Sequence, residues 1–291
     1  MPSGEGALPL RHAVVLGLLQ GPAELLPVSS SAHTTLIPWL AGWPYAQLDG
    51  ERRKAFEVAL HAGAGLALAL HMRRGLLRDA ARLDRRRAGV IALALAPAVL
   101  AGYALGGAIE RHLGGPRSIA AGLIAGAVAM ALADARGATG AFKRAIDPRV
   151  QLDTSGSDGR GQEEATARDG LALGLAQAGA LIPGVSRNGA TLTAARARGF
   201  GRGAAQALSW QAGLPVMLGA SVLKGARMRT LGVPREQRAA LAVGGGAALL
   251  STLASARLLD RRLREGQQLW PYALYRCLLA ALVLVRLRDA A

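Results

Sequence analysis

Cysteine is almost absent from this chain. Cys277 is the single one among 291 residues, so a disulfide framework and a cysteine-built metal site are both excluded. Lysine is nearly as scarce, with Lys54, Lys143 and Lys224 the only three among 35 basic residues. Aromatic residues make up 4% although 51% of the chain is hydrophobic, so aliphatic residues carry the apolar content. The first twenty residues, MPSGEGALPLRHAVVLGLLQ, lack the long basic region and small-residue cleavage pattern of a secretory signal, and the segment is expected to be retained. Acidic side chains are outnumbered 19 to 35, leaving a net charge of +16. Such a charge can serve nucleic acid, but here the basic residues lie between apolar blocks and not along one face. That argues against a nucleic-acid partner and for loops beside an anionic membrane surface.

The apolar residues come in long blocks, at 55–72, 88–109, 118–133, 206–223, 239–256 and 271–285. Each has about the length that crosses the hydrocarbon core of a bilayer. The expected fold is all-α, a polytopic transmembrane helical protein forming one integral membrane domain over 1–291, with membrane lipid as its surroundings. Its halves run over about 1–135 and 169–291, joined by a polar, solvated linker loop at 150–168 that has no apolar period. The run RRGLLRDAARLDRRR at 73–87 holds seven arginines and is expected on the cytoplasmic side. Counting spans from it puts the 134–168 loop on the same side and the 42–54 loop outside. The second half is not oriented by charge, because 224–238 holds five basic residues and 257–264 four arginines with one span between them.

Two apolar segments are broken. The stretch 13–41 is interrupted by Pro22, Pro27, Pro38, three consecutive serines and His33, and the stretch 170–194 by Gln177, Pro183, Gly184, Ser186, Arg187, Asn188 and Thr191. Irregular backbone at membrane depth must be buried in protein or line a wet cavity, so both are expected to point inward. They also resemble each other. LLQGPAELLPVSSS begins at Leu18 and LAQAGALIPGVSRN at Leu175; Gln177 follows Gln20 by 157 residues and Pro183 follows Pro27 by 156. Interrupted segments at corresponding places in two halves point to a midplane site.

Within QGPAELLPVSSSAH, Gln20 and Glu24 share a helical face at i, i+4, with Pro22 either in the first turn or kinking the helix. A carboxylate at this depth costs about 2.5 to 3.5 kcal/mol on insertion scales and is seldom there without a task. Pro27 is expected to end one half-helix and open another, whose first N–H groups lie at Val28 to Ser31 and favour an anion, with Ser29, Ser30 and Ser31 as added donors. Ser30 and His33 are i, i+3 neighbours, a hydroxyl and a base able to meet on one face. In the second segment, PGVSRNGAT puts Arg187, whose planar fork suits phosphate oxygens, among Ser186, Asn188 and Thr191. Carboxylate, hydroxyl, imidazole and guanidinium form a set suited to phosphoryl transfer.

These stretches resemble a known family. QGPAELLPVSSSAH is similar to the Glu/Gln-x-x-x-Glu and Pro-Val-Ser-Ser-x-x-His motifs of the bacitracin-resistance type of undecaprenyl-diphosphatase, and PGVSRNGAT to its Pro-Gly-x-Ser-Arg-Ser-Gly-x-Thr motif. KAFEVALHAG at 54, APAV at 96, the Gln177 region, LPVMLGA at 214 and PYALYR at 271 extend the resemblance over nearly the whole chain in the family's order. It implies two re-entrant helix pairs from an inverted repeat, a divalent cation such as Mg²⁺ or Ca²⁺, a site open to the outer face of the cell membrane, and a homodimer. Carried over by motif position, Glu24 is the second acidic residue and a metal ligand, Gln20 the first, Ser30 the catalytic serine, His33 the catalytic histidine and Arg187 the phosphate clamp. Gln20 is uncharged where a carboxylate is common, Ala32 replaces a glycine, Asn188 a serine, and His61 stands where many members have glutamine.

The expected reaction removes the terminal phosphate of a polyprenyl diphosphate lipid, with either Ser30 or His33 as nucleophile. A flippase for the lipid monophosphate is the alternative, since repeat-built broken helices are also transporter architecture. Two further residues carry structural expectations. Glu57 and His61, at i, i+4, are expected to form a hydrogen-bonded pair, and Arg276, near Trp270, Tyr272 and Tyr275, to snorkel within an aromatic belt.

Overall fold

The computed structural model describes residues 8–145, 159–231, 235–265 and 268–289. They form ten α-helices: α1 (Leu10–Leu25), α2 (Ser30–Leu40), α3 (Gly50–Ala81), α4 (Arg85–Leu113), α5 (Pro116–Ala145), α6 (Ala167–Gly179), α7 (Arg187–Ala197), α8 (Arg202–Leu231), α9 (Arg235–Glu265) and α10 (Trp270–Asp289). Short 3₁₀ turns at Pro44–Gln47 and Gln162–Glu164 complete the list, and no strand occurs among the described residues. Five helices there are long and apolar enough to cross a membrane, within Gly50–Ala81, Arg85–Ile109, Pro116–Ala135, Gln237–Leu259 and Trp270–Asp289. The protein is an all-α, multi-pass membrane protein. The sixth expected block, 206–223, is helical within α8 but is not one of these five. Gln206 and Ser209 interrupt it, and both are buried.

The helices begin and end where local chemistry dictates. Asp84 caps α4, its side chain accepting from the Arg87 N–H at 2.7 Å, and that bond holds its carboxyl below the usual range. Thr166 and Asp169 form a capping box at the start of α6. Both broken segments are helix–turn–helix pairs, α1–α2 and α6–α7. Their helices have 16, 11, 13 and 11 residues, so each is about 16 to 24 Å long and stops short of a bilayer's thickness.

The chain packs as two compact units, each drawing on both halves of the sequence. The first comprises Met1–Leu25, Ser30–Ala81 and Leu214–Leu258. Its core joins Leu16, Tyr45, Phe56, Leu60 and Ala248. Here Pro22 lies well inside α1, not in its first turn, and its missing N–H frees the Leu18 carbonyl. Ser251 of α9 donates to that carbonyl at 2.5 Å.

The second unit comprises Leu26–Ser29, Arg82–Gly213 and Leu259–Ala291. α6 packs on α4, and α5 on α7 and α10, around Met130, Leu173, Leu192, Phe200 and Leu208. Gln177, the repeat counterpart of Gln20, donates to the Ala94 carbonyl at 2.7 Å, one turn before the helix-interior Pro97. Residues 150–158 of the expected linker lie outside the described residues. Beyond them, Arg160 donates to the Asp169 carboxylate and to the Glu164 and Arg198 carbonyls and lies over the Phe200 ring at 4.4 Å.

Candidate active site

In the first unit, one carboxylate oxygen gathers three partners. Glu24 is buried near the end of α1. Its Oε2 accepts from Gln20 Nε2 at 3.1 Å, which is the i, i+4 pairing expected of this helix. The same oxygen accepts from Ser30 Oγ, on α2, at 2.7 Å. His61 of α3 brings Nε2 to 3.8 Å from it. The pairing expected between Glu57 and His61 takes a different form. His61 Nδ1 bonds the Glu57 backbone carbonyl at 2.8 Å, so that nitrogen is the donor and the opposite ring nitrogen faces Glu24. The reason is geometric: the (i−4) carbonyl lies within reach of Nδ1, which aims the rest of the ring across to α1.

Ser30 therefore bonds Glu24, a polar contact suited to drawing the proton from a hydroxyl. His33 lies one turn after Ser30 on α2 and is buried, Ser31 sits in the first turn of that helix, and Ser29 is buried just before it. The start of α2 differs from expectation. The Val28 N–H turns back to the Leu26 carbonyl at 2.8 Å, and Ser29 takes φ 75°, so helical geometry begins at Ser30 and the free first-turn N–H groups shift about two residues onward.

The second unit repeats this design. Ser186 has φ 69° and precedes α7 as Ser29 precedes α2. Two serines with left-handed backbone at equivalent places in a repeat, where a side chain is disfavoured by about 1 kcal/mol or more, mark a shape maintained by its surroundings. The Ser186 hydroxyl caps α7 by accepting from the Gly189 N–H at 3.1 Å. Gly184, at φ 94°, passes so close to Ile119 of α5 that a Cβ would clash. Arg187 is the first residue of α7, half-buried, and its Nη1 donates to the Gly213 carbonyl. Asn188 Oδ1 accepts from Ser209 Oγ at 2.8 Å. Thr191 is fully buried, its hydroxyl sharing a 2.6 Å bond with Ser209 and contacting the Arg187 and Asn188 carbonyls.

Three participants were not read from the sequence. Ser209 is an unremarked serine in an apolar block, and nothing in its own neighbourhood signals that it holds Asn188. His61 bonds Glu57 of its own helix through the backbone carbonyl, but the approach of its other ring nitrogen to Glu24 has no signal in its spacing. Arg276 does not snorkel: it is fully buried, its guanidinium surrounded by backbone carbonyls of other elements. The cost of a cation in mid-span was the signal that could have found it.

The chain matches the family model described as Bacitracin resistance protein BacA over residues 13–282. It is 38% identical over 290 residues to an undecaprenyl-diphosphatase of Geobacter sulfurreducens, covering 96% of this chain and 98% of that protein. A protein of the same name from Geobacter metallireducens is 37% identical over 94% of this chain and 97% of its own length. One from Thermomicrobium roseum is 36% identical over 85% and 88%.

Proposed function

The chain belongs to the bacitracin resistance protein BacA family, and on that premise we propose that it is an integral membrane undecaprenyl-diphosphatase. It hydrolyses undecaprenyl diphosphate to undecaprenyl phosphate and inorganic phosphate, returning the lipid carrier to cell-wall synthesis and conferring resistance to bacitracin. The observation that carries this reading is the 2.7 Å bond from Ser30 Oγ to the buried Glu24 carboxylate. A hydroxyl held against a buried base is what phosphoryl transfer uses and what a flippase does not require.

In the proposed reaction Ser30 Oγ attacks the terminal phosphorus and passes its proton to Glu24. The bond from that phosphorus to the bridging oxygen breaks, and undecaprenyl phosphate leaves with the electron pair. Water then attacks the phosphoserine, releasing phosphate and returning the proton to Ser30. His33, one turn from Ser30, is the motif's catalytic histidine, and Arg187 the clamp on phosphate oxygens. The apolar tail stays among the apolar helices.

A divalent cation, Mg²⁺ or Ca²⁺, fits the residues present. Gln20 Oε1 is a buried acceptor with no hydrogen-bond partner, and Glu24 supplies a carboxylate. Among the described residues no three His, Cys, Asp or Glu side chains gather to hold an ion, so Gln20 and Glu24 would hold one whose remaining positions belong to substrate oxygens and water, the habit of Mg²⁺. When bound, such an ion neutralises charge developing on the phosphoryl oxygens.

We place the protein in the cell membrane with this site toward the outer face and the two broken pairs re-entrant. Support comes from α3. The seven-arginine run 73–87 begins at its C-terminal end, against Arg52, Arg53 and Lys54 at the other, and His61 lies 11 residues from Gly50, about 17 Å along the helix from that other end. The test is phosphate release from undecaprenyl diphosphate by purified protein in detergent, where no sidedness exists. Wild type is expected to turn over, and Glu24→Gln and Ser30→Ala to fall by at least a hundredfold while remaining folded. A folded wild type that releases no phosphate overturns the hydrolase reading.

A further inference from the structure

Among the described residues Arg276 is the largest side chain that is fully buried. It lies on α10, in an apolar span, and every partner it has is neutral. Nη2 donates to the carbonyls of Gly184 at 2.8 Å, Val185 at 2.9 Å and Gly122 at 3.3 Å. Nη1 reaches the Pro27 carbonyl at 3.4 Å and Met130 Sδ at 3.5 Å. Among the described residues no carboxylate pairs with it. A buried guanidinium without a counter-ion is unfavourable by several kcal/mol unless something else offsets the charge.

The carbonyls it holds are not arbitrary. Pro27 belongs to the turn between α1 and α2, and Gly184 and Val185 to the turn between α6 and α7, so one guanidinium ties together the two turns that carry the signature motifs. In a planar trans peptide the N–H lies opposite the C=O. Drawing the Val185 carbonyl toward Arg276 therefore aims the Ser186 N–H away from it. Each turn leads into a serine with left-handed backbone and then into a helix N-terminus. The space for the guanidinium is reserved by glycine: a Cβ on Gly126 would collide with Nη2, and one on Gly189 would stand 3.0 Å from Nη1.

We propose that Arg276 is a positioning residue for the phosphatase reaction, pinning both signature turns in their strained shape and placing behind them a fixed positive charge that the substrate's diphosphate offsets. The inference rests on the hydrolase reading given above. It acts through the turns and through the field of its charge, since a side chain with no exposed surface does not touch substrate.

The test compares wild type with Arg276→Lys, Arg276→Met and Gly126→Ala in detergent, measuring kcat and KM on undecaprenyl diphosphate, inhibition by inorganic diphosphate, and the melting temperature. Lysine keeps the charge but has one short head that cannot hold both turns, so kcat is expected to fall at least tenfold with KM within about threefold. Methionine removes the charge as well, so kcat falls and inhibition by diphosphate weakens at least fivefold. Gly126→Ala leaves Arg276 in place but displaces its head, and is expected to lower kcat with little change in diphosphate inhibition. A wild type without activity fails the hydrolase reading. With an active wild type, a folded Arg276→Lys protein whose kcat is within twofold of wild type overturns the proposal. So does failure of all three variants to fold, which assigns Arg276 to stability alone.

Discussion

At the scale of single residues, the site turns on which donor meets which acceptor. Arg187 donates one arm to the Gly213 carbonyl, and the planar fork of an arginine can hold such a carbonyl and a phosphate oxygen together. Lysine cannot do both. Arg187→Lys is expected to lower turnover tenfold or more, about 1.4 kcal/mol, in phosphate-release assays normalised to folded protein; an unchanged rate would remove Arg187 from the site. His61 is a finer case. Its ring is oriented by the Glu57 carbonyl and faces Glu24, so what matters is a polar group reaching that carboxylate. Glutamine can supply one and leucine cannot. His61→Gln is expected to stay within a few-fold of wild type and His61→Leu to lose at least tenfold; equal rates for the two would return His61 to a purely structural role. The i, i+4 rule made Gln20 and Glu24 legible as a pair from sequence. The approach of His61 was not, because spacing along one helix says nothing about which neighbouring helix its side chain will face.

Among the elements, the two broken pairs were legible for a plain reason: proline and hydroxyl residues inside apolar blocks have no place facing lipid. The entry to α2 was not, because it depends on the Ser29 backbone, and sequence rules assign a left-handed conformation readily to glycine and rarely to serine. Nor was Ser251, whose role follows only once α9 lies beside the carbonyl that Pro22 frees. Order at the loop end of α6 rests on Asp169. Burial alone would raise its pKa, but hydrogen bonds from Arg160, Thr166 and Arg198 outweigh that and hold the carboxyl well below the usual carboxylate range. Because the folded value lies below the unfolded one of roughly 4, the stabilisation is fully present above that pH and is lost as pH falls beneath it. Asp169→Asn is expected to reduce stability by about 2 kcal/mol at pH 7. Melting temperatures of the two proteins should then converge as the pH is lowered from 5 toward 3, and a constant gap across that range would show that the ionised carboxylate is not what stabilises this junction.

For the whole molecule, the class and five of the six expected spans were legible from block lengths, and charge supplies an expectation of orientation. α3 is the element that joins orientation to chemistry. Its 32 residues extend over about 48 Å, with the start of the seven-arginine run 73–87 at one end and Arg52, Arg53 and Lys54 beside Gly50 at the other. If the arginine-rich end is cytoplasmic, Gly50 lies outside and His61, with the Glu24 it faces, sits in the outer half. The chain offers a clean way to measure this, because Cys277 is its single cysteine and both Gly50 and Gly75 have open space where a side chain would project. In a Cys277→Ser background, Gly50→Cys is expected to react with a membrane-impermeant maleimide in intact cells. Gly75→Cys, between Arg74 and Arg78, should react only after the membrane is permeabilised. Labelling in the reverse order would turn α3 over and place the Ser30–Glu24 pair nearer the cytoplasm, where it would meet lipid diphosphate made inside the cell and not that released at the outer surface.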